Sequence, residues 1–370
     1  MGISGLLKEL QSISKSIHIK ELAGLRVAID AHCWLHRGAV SCARELLSER
    51  VRNNRDDADT SVPSYVRSFM SLVELLKVNG ITQILVVFDG CALPAKARIH
   101  TAREESRKKV IELARAAEEQ GKLDIADSYY KQGVTITFEM VTNVINELKA
   151  QGIPYLVSPY ESDAQLTFFS NNNIVDCVFT EDSDLVVFGC RRIIFKLDRS
   201  GGAVEIKRNQ LGSNTGALTF LNWADLQFKL FCCLSGCDYV KNINMLGIKK
   251  AHKLVEKYKT LPALAVELRR VYQNSDDFDI DVYLRDLERA LLTFQYQTVF
   301  NPMTMSLEPL CGPLPPAAEL FTVTGTARRQ VCVCVAYLAL CMYEYILTYV
   351  CLYRTVRLTS WGHGMMHTAR

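Results

Sequence analysis

The sequence predicts an α/β fold with a mostly parallel central sheet flanked by helices. Two observations carry this expectation. Short apolar runs rich in Val, Ile and Phe alternate with longer segments of helical period. Several of those runs also end in acidic residues, as happens when parallel strands deliver polar groups to one edge of a sheet.

In chain order the predicted strands are 26–29, 84–88, 153–157, 176–180 and 193–197. They are continuous and rich in Val, Ile and Phe, as expected of strands buried on both faces. Helical patterns lie between them at 64–78, 138–151 and 162–171. Strand alternating with helix is the signature of a parallel α/β sheet. Residues 51–63 are polar and read as a loop. Residues 97–133 are highly charged, with Gly121 and Gly133 as punctuation, and read as two helices that project from the domain more than they pack into it. From Trp223 onward the chain reads as mainly helical, with a boundary at 309–319. The expected division is 1–222 for an α/β domain including the charged helices, 223–308 for a helical part of the same core, and 309–370 for an atypical tail.

Composition removes several functional classes. The chain has 370 residues and a net charge of +3, which alone does not announce a nucleic-acid binder. Lys and Arg nevertheless crowd 96–109 and 241–259. Thirteen cysteines are scattered singly through apolar segments, which suits neither a zinc site nor a disulfide framework. Reduced thiols in the cytosol or nucleus are expected. The N-terminus lacks a signal peptide's apolar stretch, and Leu6 stands where a myristoylation signal needs Ser or Thr. The run 331–353 is long enough to span a bilayer. A tail anchor, a buried helix pair and aberrant coding sequence all fit it; its composition, unlike anything before it, favours the last.

The acids carry the chemistry. Asp30 and Asp89 each end a predicted strand, Glu161 and Asp163 follow the third, and Asp182 and Asp184 follow the fourth. Asp238 comes after an apolar helix. A lone strand-end Asp is usually a cap or turn residue. Four acidic strand ends in order point instead to one shared crevice. Two carboxylates about 4 Å apart repel by roughly 4 kcal/mol at an effective dielectric near 20, so such a cluster takes up protons or binds cations. Oxygen ligands with little His or Cys select Mg²⁺ or Mn²⁺. Two such ions suit in-line attack of water on a phosphodiester.

Lys96 and Arg103 are seven residues apart, so on a helix they share nearly one face. They suit either a phosphate clamp over the crevice or a solvated basic face. The stretch 230–258 reads as helix, tight loop, helix, the second starting near Ile248 with Lys249, Lys250 and Lys253 at its N-terminal end. Backbone N–H groups and lysines there make a phosphate site; an ordinary helical hairpin is the plainer reading.

The motifs MGISGLL, AIDAHCWLHRGA, VVFDGCALPAK, PYESDAQL, EDSDLVVFGC and LSGCDY, in that order, resemble the structure-specific 5′ nucleases, a PIN-like fold. The likeness runs from Met1 to about Leu310. CWLHRGA and SGCDY are similar to the exonuclease 1 branch. The resemblance implies a two-metal site of Asp30, Asp89, Glu161, Asp163, Asp182, Asp184 and Asp238, and Lys96 and Arg103 as phosphate-steering cations at the base of a helical arch, residues 97–133. It implies DNA contact by the segment around Gly2 and a junction wedge at His36 and Arg37. It also implies a helix–two-turn–helix, with Gly247, Lys249 and Lys250 on DNA and K⁺ near Ser235 and Asn242. Expected substrates are DNA 5′ ends, nicks, gaps and flaps, handled by a monomer in the nucleus, although no clear nuclear-import run is present.

Four departures accompany the likeness. Met245 stands in the hairpin loop where a small residue is usual, which predicts weaker duplex affinity. His32 stands where the branch often has an aromatic. Residues 51–63 look longer than usual. The long C-terminal region that binds mismatch-repair partners is missing, so those partners are not carried over. The expected activity is 5′→3′ exonuclease with 5′-flap endonuclease. A mainly flap-cutting enzyme, a DNA-binding scaffold, another Mg²⁺ phosphoryl-transfer enzyme and a membrane-tethered protein remain as alternatives.

Overall fold

A computed structural model describes residues 2–49, 51, 62–272 and 278–313. Most of the predicted loop 51–63, and the run 331–353 with its three readings, therefore lie outside the described residues. Among those described, no helix is long and apolar enough to cross a membrane.

The main sheet has seven strands: β1 (Ser14–His18), β2 (Arg26–Asp30), β3 (Gln83–Phe88), β4 (Tyr155–Val157), β5 (Cys177–Phe179), β6 (Arg192–Phe195) and β7 (Gly202–Lys207). Their spatial order is β1-β7-β6-β5-β2-β3-β4. The run β6-β5-β2-β3-β4 is parallel, whereas β7 and β1 are antiparallel additions on one edge. The mostly parallel sheet matches the sequence expectation. The two edge strands were not anticipated, because Ser14–His18 buries only Ile17 well and carries no apolar run.

The helices are α1 (Leu6–Glu9), α2 (Ala31–Ser41), α3 (Ala43–Leu47), α4 (Ser64–Val78), α5 (Ala97–Glu119), α6 (Leu123–Gly133), α7 (Phe138–Ala150), α8 (Ser162–Asn171), α9 (Asp184–Phe188), α10 (Asp225–Leu234), α11 (Ile248–Tyr258), α12 (Leu261–Tyr272) and α13 (Ile280–Tyr296). They cover both faces of the sheet, so two apolar layers form. One, under α2, α4 and α7, holds Trp34, Phe69 and Phe179. The other runs from Ile3 through Phe188, Phe220 and Phe231 to Phe300. That second layer joins the strands to the helices after Trp223. A small antiparallel hairpin, β8 (Thr298–Asn301) and β9 (Ser306–Pro309), interrupts the mainly helical end.

The charged segment 97–133 departs from the expectation that it projects. Its first half is exposed, but Ala114, Ala117, Ala126 and Tyr130 are buried. Glu118 accepts hydrogen bonds from Ser48 Oγ at 2.9 Å and Tyr130 Oη at 2.9 Å, which ties the top of α5 to α6 and the body. Alanines at this point let two helices pack closely, so the far end of the pair is anchored.

A candidate nuclease site at the carboxyl edge of the sheet

The strands β5, β2, β3 and β4 are neighbours, and their carboxyl ends share one edge. Between β5 and β2 the chain reverses its direction of travel across the sheet, which opens a crevice there. Asp30 is the last residue of β2, and Asp89 follows β3. Glu161 caps α8 after β4, and Asp163 lies in its first turn. Asp182 and Asp184 follow β5, the latter opening α9. Asp238 follows α10.

These acids are buried far beyond what isolated carboxylates tolerate. Asp30, Asp163, Asp182 and Asp184 are only 4%, 8%, 8% and 1% exposed. Burial pushes all four carboxyls above their ordinary range. Neighbouring negative charge adds to the shift, from Asp89 on Asp30, from Asp182 on Asp163 and Asp184, and from Asp238 on Asp182. Asp30 has partial compensation: Thr180 Oγ1 donates to it at 2.8 Å, and Cys33 N–H approaches at 3.4 Å as in a helix cap. Asp184 has no such donor, since neither carboxylate oxygen has a hydrogen-bond partner among the described residues, and only the nearby Lys96 charge offsets its burial. A buried carboxylate without donors requires a proton or a cation.

Cations of the chain supply part of that charge. The Lys96 ammonium lies against Glu161 Oε1 and reaches Asp238 Oδ2 at 3.4 Å. Arg103 Nη2 donates to Asp238 Oδ1 at 2.7 Å. Burial opposes the charge on Lys96, but Glu161, Asp184, Asp163 and Asp238 together raise its pKa. Among the described residues, no three His, Cys, Asp or Glu side chains form a preformed cage for one ion; the acids instead surround Lys96. Asp89 lies nearer solvent, its side chain 40% exposed, and holds the N-terminus of α8 through Ser162 N–H at 2.7 Å.

The other sequence candidates divide. Gly2 is at the crevice: a β-carbon there would meet Asp182 Oδ1 at 2.3 Å and Asp184 Oδ1 at 3.0 Å, and its φ of +80° also demands glycine. His36 on α2 is half-buried, and burial with the nearby Arg107 charge lowers its pKa. Arg37 donates to the Leu197 carbonyl at 2.5 Å, so its guanidinium is partly committed to the body. Gly247 caps α11 with exposed Lys249 and Lys250 beyond it. Lys250 Nζ turns back to the Met245 carbonyl at 2.9 Å. Ser235 Oγ donates to Phe231 O at 2.8 Å, and Asn242 packs over Gly236, so both border the same loop after α10.

Two site residues were not singled out. Tyr239 donates to Glu161 Oε2 at 2.5 Å, and its ring lies 5.0 Å from the Lys96 ammonium. It holds both partners of the central ion pair, and its only sequence signal is its place beside Asp238. Gly90 lets the turn after Asp89 cross close to β4's continuation, where a β-carbon would lie 1.8 Å from Ser158 O.

Fold, crevice and cation placement define an α/β protein with an acidic, cation-lined site at the carboxyl edge of its sheet, and comparison with known proteins names its family. Residues 1–110 match the XPG N-terminal domain and residues 152–238 the XPG I-region. Exonuclease 1 of Xenopus laevis is 35% identical over 84% of this chain and 41% of its own length. The DNA damage-inducible protein DIN7 of Saccharomyces cerevisiae is 31% identical over 84% of this chain and 69% of that protein. The catalytic core of Rad2 in complex with DNA substrate has the same fold, with a TM-score of 0.56 at 17% identity, covering 91% of this chain and all of that one. The chain belongs to the XPG nuclease family, in its exonuclease 1 branch. It spans about two fifths of the length of the exonuclease 1 relatives it matches.

Proposed function

We propose that this chain is a Mg²⁺-dependent 5′→3′ DNA exonuclease with 5′-flap endonuclease activity, acting in DNA repair in the nucleus. One observation carries the reading: Asp184 is 1% exposed with both oxygens unpartnered, inside a crevice of raised carboxyls. Such a donor set fits hard cations. Asp30, Asp89, Glu161, Asp163, Asp182, Asp184 and Asp238 would hold two Mg²⁺, or Mn²⁺. When bound, these ions would lower the pKa of water and stabilise the leaving oxygen of a phosphodiester.

The chain's own groups do the rest. Lys96 and Arg103 are the counter-charges of the crevice, paired with Glu161 and Asp238. With those carboxylates engaged by metal, both cations would be available to hold the scissile phosphate. Tyr239 keeps the freed lysine over the site through its ring. Gly2 lets the N-terminal backbone pass close beside Asp182 and Asp184, which sets that segment at the crevice where the DNA strand would enter. His36 and Arg37 stand at the duplex junction. The 248 end of α11, with Gly247, Lys249 and Lys250, holds phosphates, and Ser235 and Asn242 border a K⁺ site. Residues 1–222, including the arch at 97–133, and 223–308 serve these two tasks. Binding through phosphates is largely sequence-independent and salt-sensitive.

The test offers the purified chain 5′-labelled nicked or recessed duplex and a matched 5′-flap in Mg²⁺. Short products from the duplex end, with cutting at the flap base, are expected. Asp184→Ala should abolish cleavage while DNA binding survives; near-normal turnover in that variant would sink the metal assignment.

A further inference from the structure

A second site lies at the opposite edge of the sheet. A cleft of about 640 Å³, within the usual size of small-ligand sites, is lined by Arg191, Arg192, Lys207, Arg208 and Trp223. Arg192 begins β6, and Lys207 is its antiparallel partner at the end of β7. The amino ends of the parallel strands therefore face this cleft, and the carboxylate crevice lies at their other end. Nothing in the proposed nuclease reaction uses it.

The local charge is unbalanced. Six cations, Arg26, Arg191, Arg192, Lys207, Arg208 and Lys229, meet three carboxylates. Glu205 serves Arg192 at 2.6 Å and Lys207 at 3.4 Å. Asp225 serves Arg208 and Lys229, each at 2.8 Å. Asp176 is taken by Arg26 at 2.6 Å. Among the described residues, the Arg191 guanidinium reaches the neutral Asn173 side chain and no carboxylate. Arg208 is held flat, its guanidinium carbon 4.5 Å from the centre of the Phe228 ring, and its buried Nε has no acceptor. Guanidinium forks with an excess of positive charge match a phosphate ester. Beside them the Trp223 indole is backed by the His252 ring, stacked at 4.8 Å, which makes a rigid aromatic wall.

We propose that this cleft binds a nucleoside monophosphate unit, its phosphate on Arg191 and Arg208 and its base along Trp223. Three short helices give such binding a consequence. α8 runs from Asp163 to Ser170, at the cleft; α9 opens with Asp184 and is followed by Arg191; α10 opens with Asp225 in the cleft and leads to Asp238. α8 and α10, ten residues each, span the distance between crevice and cleft, roughly 15 Å, and the five-residue α9 with the turn after it makes a third link.

Calorimetric titration of the full chain with deoxyadenosine 5′-monophosphate in EDTA tests this without divalent cation or cleavage. Its outcome is thus separate from that of the nuclease reading. Saturable binding is expected, weakened at least about tenfold by Arg191→Gln. That variant removes an exposed cation without orphaning a carboxylate, so the fold survives, which an unchanged melting temperature verifies. Lys96→Ala at the crevice should leave the affinity unchanged. Inorganic phosphate should bind more weakly than the nucleotide. A short single strand that binds more tightly, with the same sensitivity to Arg191→Gln, would support the site and identify the unit as part of a strand. Absence of saturable binding at roughly 1 mM nucleotide, equal affinity for inorganic phosphate, or loss of binding in Lys96→Ala alone would overturn the proposal.

Discussion

At the scale of single residues, Asp184 shows how the fold holds its site at a cost in stability. Its carboxyl is raised in the folded chain by burial and by Asp182. A carboxyl raised on folding contributes stability at low pH, where it is protonated, and loses it as pH rises through the raised value. Metal-free protein should therefore gain stability from this group as pH falls from neutrality, opposite to a salt-bridged acid such as Asp176, whose carboxyl Arg26 depresses. Asp184→Asn removes the charge and keeps the shape. In EDTA at neutral pH it should raise the melting temperature by several degrees, equivalent to about 1–3 kcal/mol. It should also shrink the stabilisation seen on adding Mg²⁺ and abolish cleavage. Equal melting temperatures for variant and wild type in EDTA would remove the argument that this acid is held against its own solvation. Met245 is a second case. Its φ is +64°, where a side chain costs about 1–2 kcal/mol, and it is 78% exposed, so no packing is lost on replacement. Met245→Gly should stabilise the loop by up to about 1 kcal/mol, net of glycine's extra unfolded-state freedom, and tighten duplex binding severalfold. Unchanged affinity in a titration with labelled duplex would mean that this loop does not approach phosphate.

Among the elements, the paired helices α5 and α6 are held at both ends, at the near end by ion pairs and at the far end by hydrogen bonds. Lys96 and Arg103 sit near the start of α5 against the crevice, whereas Glu118 near its far end is fixed by Ser48 and Tyr130. Lys96→Ala or Arg103→Ala should slow single-turnover cleavage by orders of magnitude with little change in DNA affinity; loss of affinity alone would make them binding residues. Tyr130→Phe removes one bond to Glu118, worth about 1 kcal/mol, and should speed amide exchange in 114–130 while leaving the sheet unchanged. The sequence foretold this segment's helicity but not its anchoring, because Ala114, Ala117 and Ala126 carry too little hydrophobic signal to mark a buried face. The central strands were legible for the opposite reason: being buried on both sides, they are apolar along most of their length. Edge strands such as Ser14–His18 alternate weakly and were missed. In the site, the acids stood out because six of them close or follow an apolar strand and Asp238 follows an apolar helix, and their convergence on Lys96 was not legible, since it depends on strand order. The basic cleft drew no attention in the sequence because its cations come from separate segments, 191–192 and 207–208, that only the antiparallel pairing of β6 and β7 brings together.

Over the whole molecule, the question is whether the part after Trp223 is an appendage or a wall of the core. Phe228 and Phe231 lie 5.1 and 5.4 Å from Phe220, and Phe294 lies 4.8 Å from Phe188, directly after the acidic turn of α9. One apolar layer continues from Ile3 to Phe300 through these rings. Each buried Phe or Leu contributes roughly 1.5–3 kcal/mol. Removing Phe228, Leu230, Phe231, Leu234 and Phe294 together would therefore consume about the 5–15 kcal/mol that separates a folded domain from its unfolded chain. The crevice depends on the same layer, because Asp238 and Tyr239, which hold Lys96, follow α10. A chain ending at residue 222 should consequently collapse without fixed tertiary packing, keeping helical far-ultraviolet signal while losing near-ultraviolet dichroism. The full chain should melt in one transition to which both layers contribute. A 222-residue chain with a sharp thermal transition and dispersed amide resonances would show instead that the sheet and its first helices are complete alone, and that the later helices were added to an already stable core to carry DNA.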